Sequence, residues 1–232
     1  MEPRDRLPDE DILHLTSLEE VFGGFAHEIA QPLHTIMIAS QVLQLKLART
    51  DLADAEKEFL TQRLNIVISQ VQRATEIIGG LRAFVKGGFS QQNGTDIKLI
   101  FRHVQDLMGQ QFLGRGIELT CHMDDSLASA REEPQLLEGI IIQGLAHSRD
   151  TVTALDAWHK KNELSYKRSV AVTISGTSSL TIRMSWDPGQ SLSIEGLPNA
   201  ATRPGLIAAT SILKSVGGGI EADGNLILIR FP

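Results

Sequence analysis

Phe25-Ala26-His27-Glu28-Ile29-Ala30-Gln31-Pro32-Leu33 decides how the rest of the chain reads. Placed around a helix at about 100° per residue, His27 lies about 200° from Phe25 and about 160° from Ile29, away from the apolar stripe. Gln31 falls one turn beyond His27 on the same face, and Glu28 is adjacent. A water-exposed imidazole beside a carboxylate suits nucleophilic work: the carboxylate can hold one ring nitrogen and leave the other free to attack. Pro32 removes one backbone hydrogen bond to the turn below and predicts a kink just past the histidine. Taken alone, the His-Glu pair reads more readily as a solvated surface histidine on an amphipathic helix. A zinc reading fails on ligands. His27-Glu28 opens His-Glu-x-x-His, but Gln31 stands where the second histidine belongs, and amides are poor zinc ligands. His34 shares the face of His27 two turns away, so no metal site is expected.

Outward from this stretch the apolar positions Leu18, Phe22, Phe25, Ile29, Leu33, Ile36, Leu43 and Leu47 recur at helical spacing. A helix is expected from Ser17, a good N-cap with Glu19 and Glu20 behind it, to about Arg49. Residues 1–16, charged and holding two prolines, read as a loose arm. After a short connection over Thr50–Asp54, a second helix is expected from about Ala55 to Lys86. Its stripe of Leu60, Leu64, Val67, Val71, Ala74, Ile78, Leu81 and Val85 alternates steps of four and three, a heptad seam. Two long helices on a short loop make an antiparallel hairpin. One hairpin cannot bury both stripes, so a homodimer forming a four-helix bundle is expected.

Gly87-Gly88 marks the domain boundary, giving an arm over 1–16, a helical hairpin over 17–88 and a second domain over 89–232. In that domain Thr95–Leu99 reads as a short strand, Ile100–Leu113 as a helix and Ile117–Met123 as a strand. A helix follows from Pro134 to about Leu155. Val170–Ser175 and Leu180–Trp186 alternate as strands. Thr202–Val216 reads as a helix stopped by Gly217-Gly218-Gly219, and Leu226–Phe231 as a last strand. Strands under helices give an α/β layer, and the whole chain is of α+β class.

Composition narrows the function. The formal net charge is −6 with no dense Lys/Arg cluster, which argues against nucleic-acid binding. No apolar run approaches the roughly 18 residues of a membrane span, and Met1–Arg6 lacks the apolar core of a signal peptide. The single cysteine, Cys121, cannot form an internal disulfide, which fits a cytoplasmic location. Trp158, Tyr166 and the basic run Lys160-Lys161, Lys167-Arg168 read as a solvated loop.

With the hairpin and α/β layer beside it, His27-Glu28-Ile29-Ala30-Gln31-Pro32-Leu33 resembles the phospho-acceptor box of sensor histidine kinases, His-Glu-x-x-(Asn/Thr/Gln)-Pro-Leu. The hairpin is similar to their dimerisation and histidine-phosphotransfer domain. The second domain resembles their ATP-binding domain in element order and in its ending, Gly217-Gly218-Gly219-Ile220 to Phe231-Pro232. By this resemblance His27 is the phospho-acceptor, Glu28 the acid/base that assists transfer, and Gln31 the polar group that orients water for dephosphorylation. His34, Ile38, Gln41 and Leu45 lie where the family docks a response-regulator receiver. Ile38 and Leu45 fit packing against the second helix equally well, since periodicity does not separate the two.

The nucleotide motifs depart from the family. Its magnesium-holding asparagine falls at His147, and an imidazole is a poorer ligand for hard Mg²⁺ than an amide oxygen. The adenine-reading Asp-x-Gly-x-Gly resembles Asp187-Pro188-Gly189-Gln190-Ser191, without its second glycine. The phosphate-approaching Gly-x-Gly-Leu becomes Arg203-Pro204-Gly205-Leu206, in which Pro204 has no N–H. Between Asp187 and Arg203 there is little room for a lid. His147, Asp187, Gly189 and Gly205 are therefore expected to be vestigial nucleotide-site residues.

The resemblance implies a phosphorelay protein that exchanges a phosphoryl group on His27 with receiver aspartates, has no cofactor of its own and relies on Mg²⁺ brought by the receiver. An autokinase using ATP–Mg²⁺ at a divergent site, a non-catalytic pseudokinase scaffold, and a phosphatase acting through Gln31 stay open. With no input domain visible before Ser17, either signals arrive through partners or the chain is a piece of a longer sensor.

Overall fold

A computed structural model describes residues 8–47, 54–85, 96–125, 127, 133–189 and 197–232. The expected connection over Thr50–Asp54 falls mostly outside them, and the Gly87-Gly88 boundary entirely. The chain divides into two compact units, one of residues 22–88 and the other of residues 1–21 with 89–232.

In the first unit, the part of α1 (Asp9–Leu47) from residue 22 onward and α2 (Asp54–Val85) run antiparallel. Lys46 near the end of α1 meets Glu56 at 3.9 Å and sits over the Phe59 ring at the start of α2. Further back along α1, Gln31 and His34 share a groove with Gln70 and Arg73, further on along α2. The heptad seam divides in two. Leu60 and Ala74 are buried and Val67 is half-buried, whereas Leu64, Val71 and Ile78, on the other seam position, are exposed. On α1, Pro32 and Ala39 are buried while Leu33 and Met37 are exposed.

The second unit is a two-layer α/β fold. Its strands are β1 (Glu118–Met123), β2 (Ser169–Ser175), β3 (Thr181–Trp186), β4 (Gly219–Asp223) and β5 (Leu226–Arg230), in the order β1-β2-β3-β5-β4. Only β1–β2 is parallel; the other pairs are antiparallel. On β2, β3 and β5 the side chains alternate between core and solvent, with Val170, Val172, Ile174, Ile182, Met184, Ile227 and Ile229 all buried. Helices α3 (Ile97–Gly114), α4 (Pro134–Lys161) and α5 (Pro204–Ser215) cover that face.

Two expectations are corrected. Asp96 and Ile97–Leu99 do not form a strand: Asp96 accepts a hydrogen bond from the Lys98 N–H at 2.9 Å and caps α3, whose buried Ile97, Ile100, Phe101 and Val104 follow helical spacing. Residues 9–16 are not a loose arm. α1 begins at Asp9, and Leu13, Ser17 and Val21, four residues apart, are all buried in the α/β unit. Gly139 of α4 makes this possible: a Cβ there would meet Leu13 and Ser17 at 3.2–3.3 Å. The Ser17 hydroxyl, expected to cap a helix, instead donates to the Gly139 carbonyl at 3.3 Å. β4 is a strand that the sequence reading did not separate from the glycines before it.

Leu13→Ala should therefore lower stability by about 2–3 kcal/mol, the usual cost of truncating a buried leucine. Urea unfolding followed by tryptophan fluorescence measures this, since Trp158 and Trp186 both lie in the α/β unit. An unstructured arm would leave the midpoint unmoved.

Candidate functional site

The phospho-acceptor stretch lies within α1, which continues through Pro32 as one helix. His27 and Glu28 stand on its helical backbone; their side chains lie outside the described residues. Gln31 and His34 are exposed and, with Ala30, Thr35, Gln70 and Arg73, line an open groove of about 550 Å³ one turn beyond His27. The Thr35 hydroxyl donates to the Gln31 carbonyl at 3.1 Å, tying the turn after Pro32. Ile38 is 45% and Leu45 is 75% exposed, so α2 does not cover them; Gln41 is exposed as well. The four positions read as a docking face thus present themselves to solvent.

The nucleotide-site candidates are dispersed. His147 is buried on α4 and lines a cavity of about 740 Å³ with Thr151, Trp186, residues 197–201, α5 and the β4 end. Burial pushes its imidazole down to about 4, and the Arg203 guanidinium acts in the same direction, against a smaller pull from Asp150. The ring is therefore neutral near pH 7. Asp187 and Gly189 do not line this cavity. The Asp187 carboxylate accepts from the Gly189 N–H at 2.8 Å, closing its own turn. Gly189 has a φ of 69°, and a Cβ there would strike the His159 ring. His159 stacks on Tyr166, whose hydroxyl donates to the Asp187 carbonyl at 2.7 Å. Tyr166, read as part of a solvated loop, thus anchors this turn.

Gly205 is used internally. A Cβ there would meet the Gln143 amide at 2.3 Å and the Thr16 hydroxyl at 2.6 Å, so side chains of α4 and α1 fill the space a phosphate would approach. Arg203, just before α5, is held by Glu20 and by Asp150, the latter at 2.9 Å. Arg149 completes the cluster, meeting Glu20 at 3.0 Å, Asp150 at 2.7 Å and the Gln111 amide oxygen. Sequence reasoning missed Glu20, Arg149 and the cavity wall over 197–201, because each becomes informative only through residues far away in the chain. Among the described residues, no group of three or more His, Cys, Asp or Glu side chains could hold a metal ion, and no helix is long and apolar enough to cross a membrane.

Residues 17–88 match the His Kinase A (phospho-acceptor) domain. The chain is similar to the two-component sensor PprA of Pseudomonas aeruginosa, at 22% identity over 94% of this chain and 24% of that protein, so it spans about a quarter of its relative's length. Among solved structures it is similar to the Acinetobacter baumannii histidine kinase AdeS, at 13% identity with 88% of this chain and 96% of that chain covered and a TM-score of 0.42. It is also similar to the histidine kinase ThkA, solved in complex with response regulator protein TrrA, at 15% identity with 94% and 62% covered and a TM-score of 0.43.

The depressed His147 predicts a pH effect of definite sign. Between its unfolded value near 6.5 and its folded value of about 4, the unfolded chain binds the extra proton, so stability falls as pH falls through that window. The slope is on the order of 1 kcal/mol per pH unit. Urea midpoints measured from pH 7 to pH 4.5 should drop more steeply in wild type than in His147→Asn, which does not titrate.

Proposed function

We propose that the chain, whose residues 17–88 match the phospho-acceptor domain of histidine kinases, is a two-component phosphotransfer protein that works without ATP. His27 attacks the aspartyl phosphate of a receiver. An N–P bond forms as the acyl O–P bond breaks, and the receiver carboxylate leaves; the reverse step loads a second receiver. Glu28 holds the proton on the other imidazole nitrogen and offsets the positive charge that develops on the ring. Gln31 orients water when the phosphoryl group is hydrolysed instead. Mg²⁺ comes with the receiver, which docks on His34, Ile38, Gln41 and Leu45, and transfer is mainly a matter of positioning.

The observation that carries this reading over a working kinase is the start of α5. Gly205 is packed against Gln143 and Thr16, and Arg203 is engaged by Glu20 and Asp150. Pro204 adds no N–H there. Groups that would greet a triphosphate are thus committed inside the chain, while the exposed face of α1 keeps what a relay needs. A cytoplasmic location, where receivers and a free Cys121 thiol are both at home, belongs to the same proposal.

Incubation with labelled ATP and Mg²⁺, or with a labelled phospho-receiver, separates the readings. Acid-labile label should reach wild type from the receiver only and be lost in His27→Ala. Label from ATP alone, lost in that variant, would mean an active kinase; a His27→Ala protein that keeps its signalling role would mean a scaffold. Gln31→Ala should leave transfer intact and slow hydrolysis of the receiver phosphate.

We propose further that the hairpin dimerises into a four-helix bundle, since α2 exposes Leu64, Ile68, Val71 and Ile78 and α1 exposes Leu33 and Met37. Sedimentation should show a dimer in wild type and a monomer in the double variant Leu64→Arg, Val71→Arg. Both positions are about half exposed, so the hairpin itself should survive.

A further inference from the structure

The open groove of the hairpin is lined by Ala30, Gln31, His34 and Thr35 of α1 and by Gln70 and Arg73 of α2. Apart from Ala30, each of these side chains carries a hydrogen-bonding group: two amides, an imidazole, a hydroxyl and a guanidinium. Among the described residues no carboxylate lines the groove, and Arg73 supplies its permanent charge, since a guanidinium is not deprotonated in proteins. A surface that gathers donors and a cation without an acid favours an anion. Arg73 and His34 are both exposed, so an incoming group can reach the lining. The chain also engages Arg73 from within. A guanidinium has five N–H donors, enough to keep such an interaction and meet a ligand oxygen as well.

Position decides which anion. Gln31 lies one helical turn, a rise of about 5.4 Å, beyond His27 on the same face of α1. Arg73 stands across the groove from that turn, and its long apolar stem lets the guanidinium reach along it. A phosphoryl group on its way to or from His27 passes through this space. Its transition state spreads negative charge over three equatorial oxygens, and a cation held beside them lowers the barrier. Gln31 can orient water, but a neutral amide does not offset that charge. A guanidinium offsets it and can bond two of the oxygens at once, which suits it better than an ammonium.

We propose that Arg73 is a catalytic residue of the hairpin, its guanidinium bonding the oxygens of the phosphoryl group as that group arrives on or leaves His27. The inference rests on the phosphotransfer reading and deepens it: the phospho-acceptor box supplies the nucleophile, and α2 supplies the charge that the transition state needs.

Phosphoramidate tests this on the full chain without a receiver or a nucleotide. The His27 nitrogen attacks phosphorus, an N–P bond to the ring forms as the P–N bond of phosphoramidate breaks, and ammonia leaves. The other ring nitrogen keeps its proton. Acid-labile phosphohistidine is followed over time by phosphorus NMR, with His27→Ala as the blank. Arg73→Ala should load His27 about tenfold more slowly than wild type, the worth of one charge-assisted hydrogen bond. Arg73→Lys, which keeps the charge without the fork, should fall between the two. Guanidinium chloride at about 50 mM, far below denaturing concentrations, should restore part of the rate in Arg73→Ala, and the same concentration of sodium chloride should not. A merely structural role would not respond to added guanidinium, and the urea midpoint should not move, because Arg73 is exposed. Equal loading of wild type and Arg73→Ala, or a loss that guanidinium does not restore, overturns the role of Arg73 and leaves the phosphotransfer reading standing on a labelled His27. A wild-type chain that takes no label on His27 overturns both.

Discussion

Arg149 is 6% exposed, and the α/β unit is arranged around the need to neutralise its guanidinium. A buried charge of this kind is tolerable only when paired and hydrogen-bonded. Glu20 from α1, the adjacent Asp150 and the Gln111 amide oxygen from α3 supply the partners, and Arg203 ahead of α5 shares both carboxylates. Two cations and two anions thus balance across α1, α4 and the head of α5. Removing any one member leaves another uncompensated, so the positions of α1's first turns, α4 and the start of α5 are mutually dependent. The Gln111 side chain adds a bond of 3.2 Å to the Glu20 carbonyl, fastening the same turn of α1 by its backbone.

That dependence explains what became of the glycine ahead of Leu206. With Glu20 gripping Arg203, Thr16 one turn earlier on α1 is brought against Gly205, where Gln143 also lies. A glycine that would let backbone approach a phosphate here lets two side chains approach backbone. The same substitution of purpose recurs at Asp187, whose carboxylate closes a turn, and at Gly189, which makes room for His159. Each of these residues is engaged by a partner from within the protein.

How far the sequence could be read depended on where each residue's partners lie. The hairpin was legible because heptad spacing is a local signal, but that spacing does not tell the buried half of the seam, Leu60 and Ala74, from the exposed half, Leu64 and Val71. The core strands were legible from alternation. Asp96–Leu99 was misread because Ile97, Lys98 and Leu99 alternate like a strand, although Asp96 is a cap and the apolar spacing over the next turns is helical. The start of α1 was missed because Ser17, a small polar residue, interrupts the apolar stripe between Leu13 and Val21; its burial depends on Gly139, far along the chain. β4 begins among glycines and offers only Ile220 and Ala222 as a pattern. At the candidate sites, His27, Glu28 and Gln31 stood out as one contiguous box, whereas Trp186 and the wall over 197–201 carry no motif at all.

The two units therefore differ in how their polar groups are committed. In the α/β unit, the charged groups at the head of α5 are satisfied internally. In the hairpin, Gln31, His34 and Gln41 stay at the surface beside exposed Ile38 and Leu45. Internal pairing fixes structure, and under the proposed function the exposed polar groups beside apolar ones serve a partner that arrives from outside. No residue of that face takes part in the charge cluster at the head of α5, so under the proposed function a substitution in the cluster leaves the face unaltered, and a substitution on the face leaves the cluster intact.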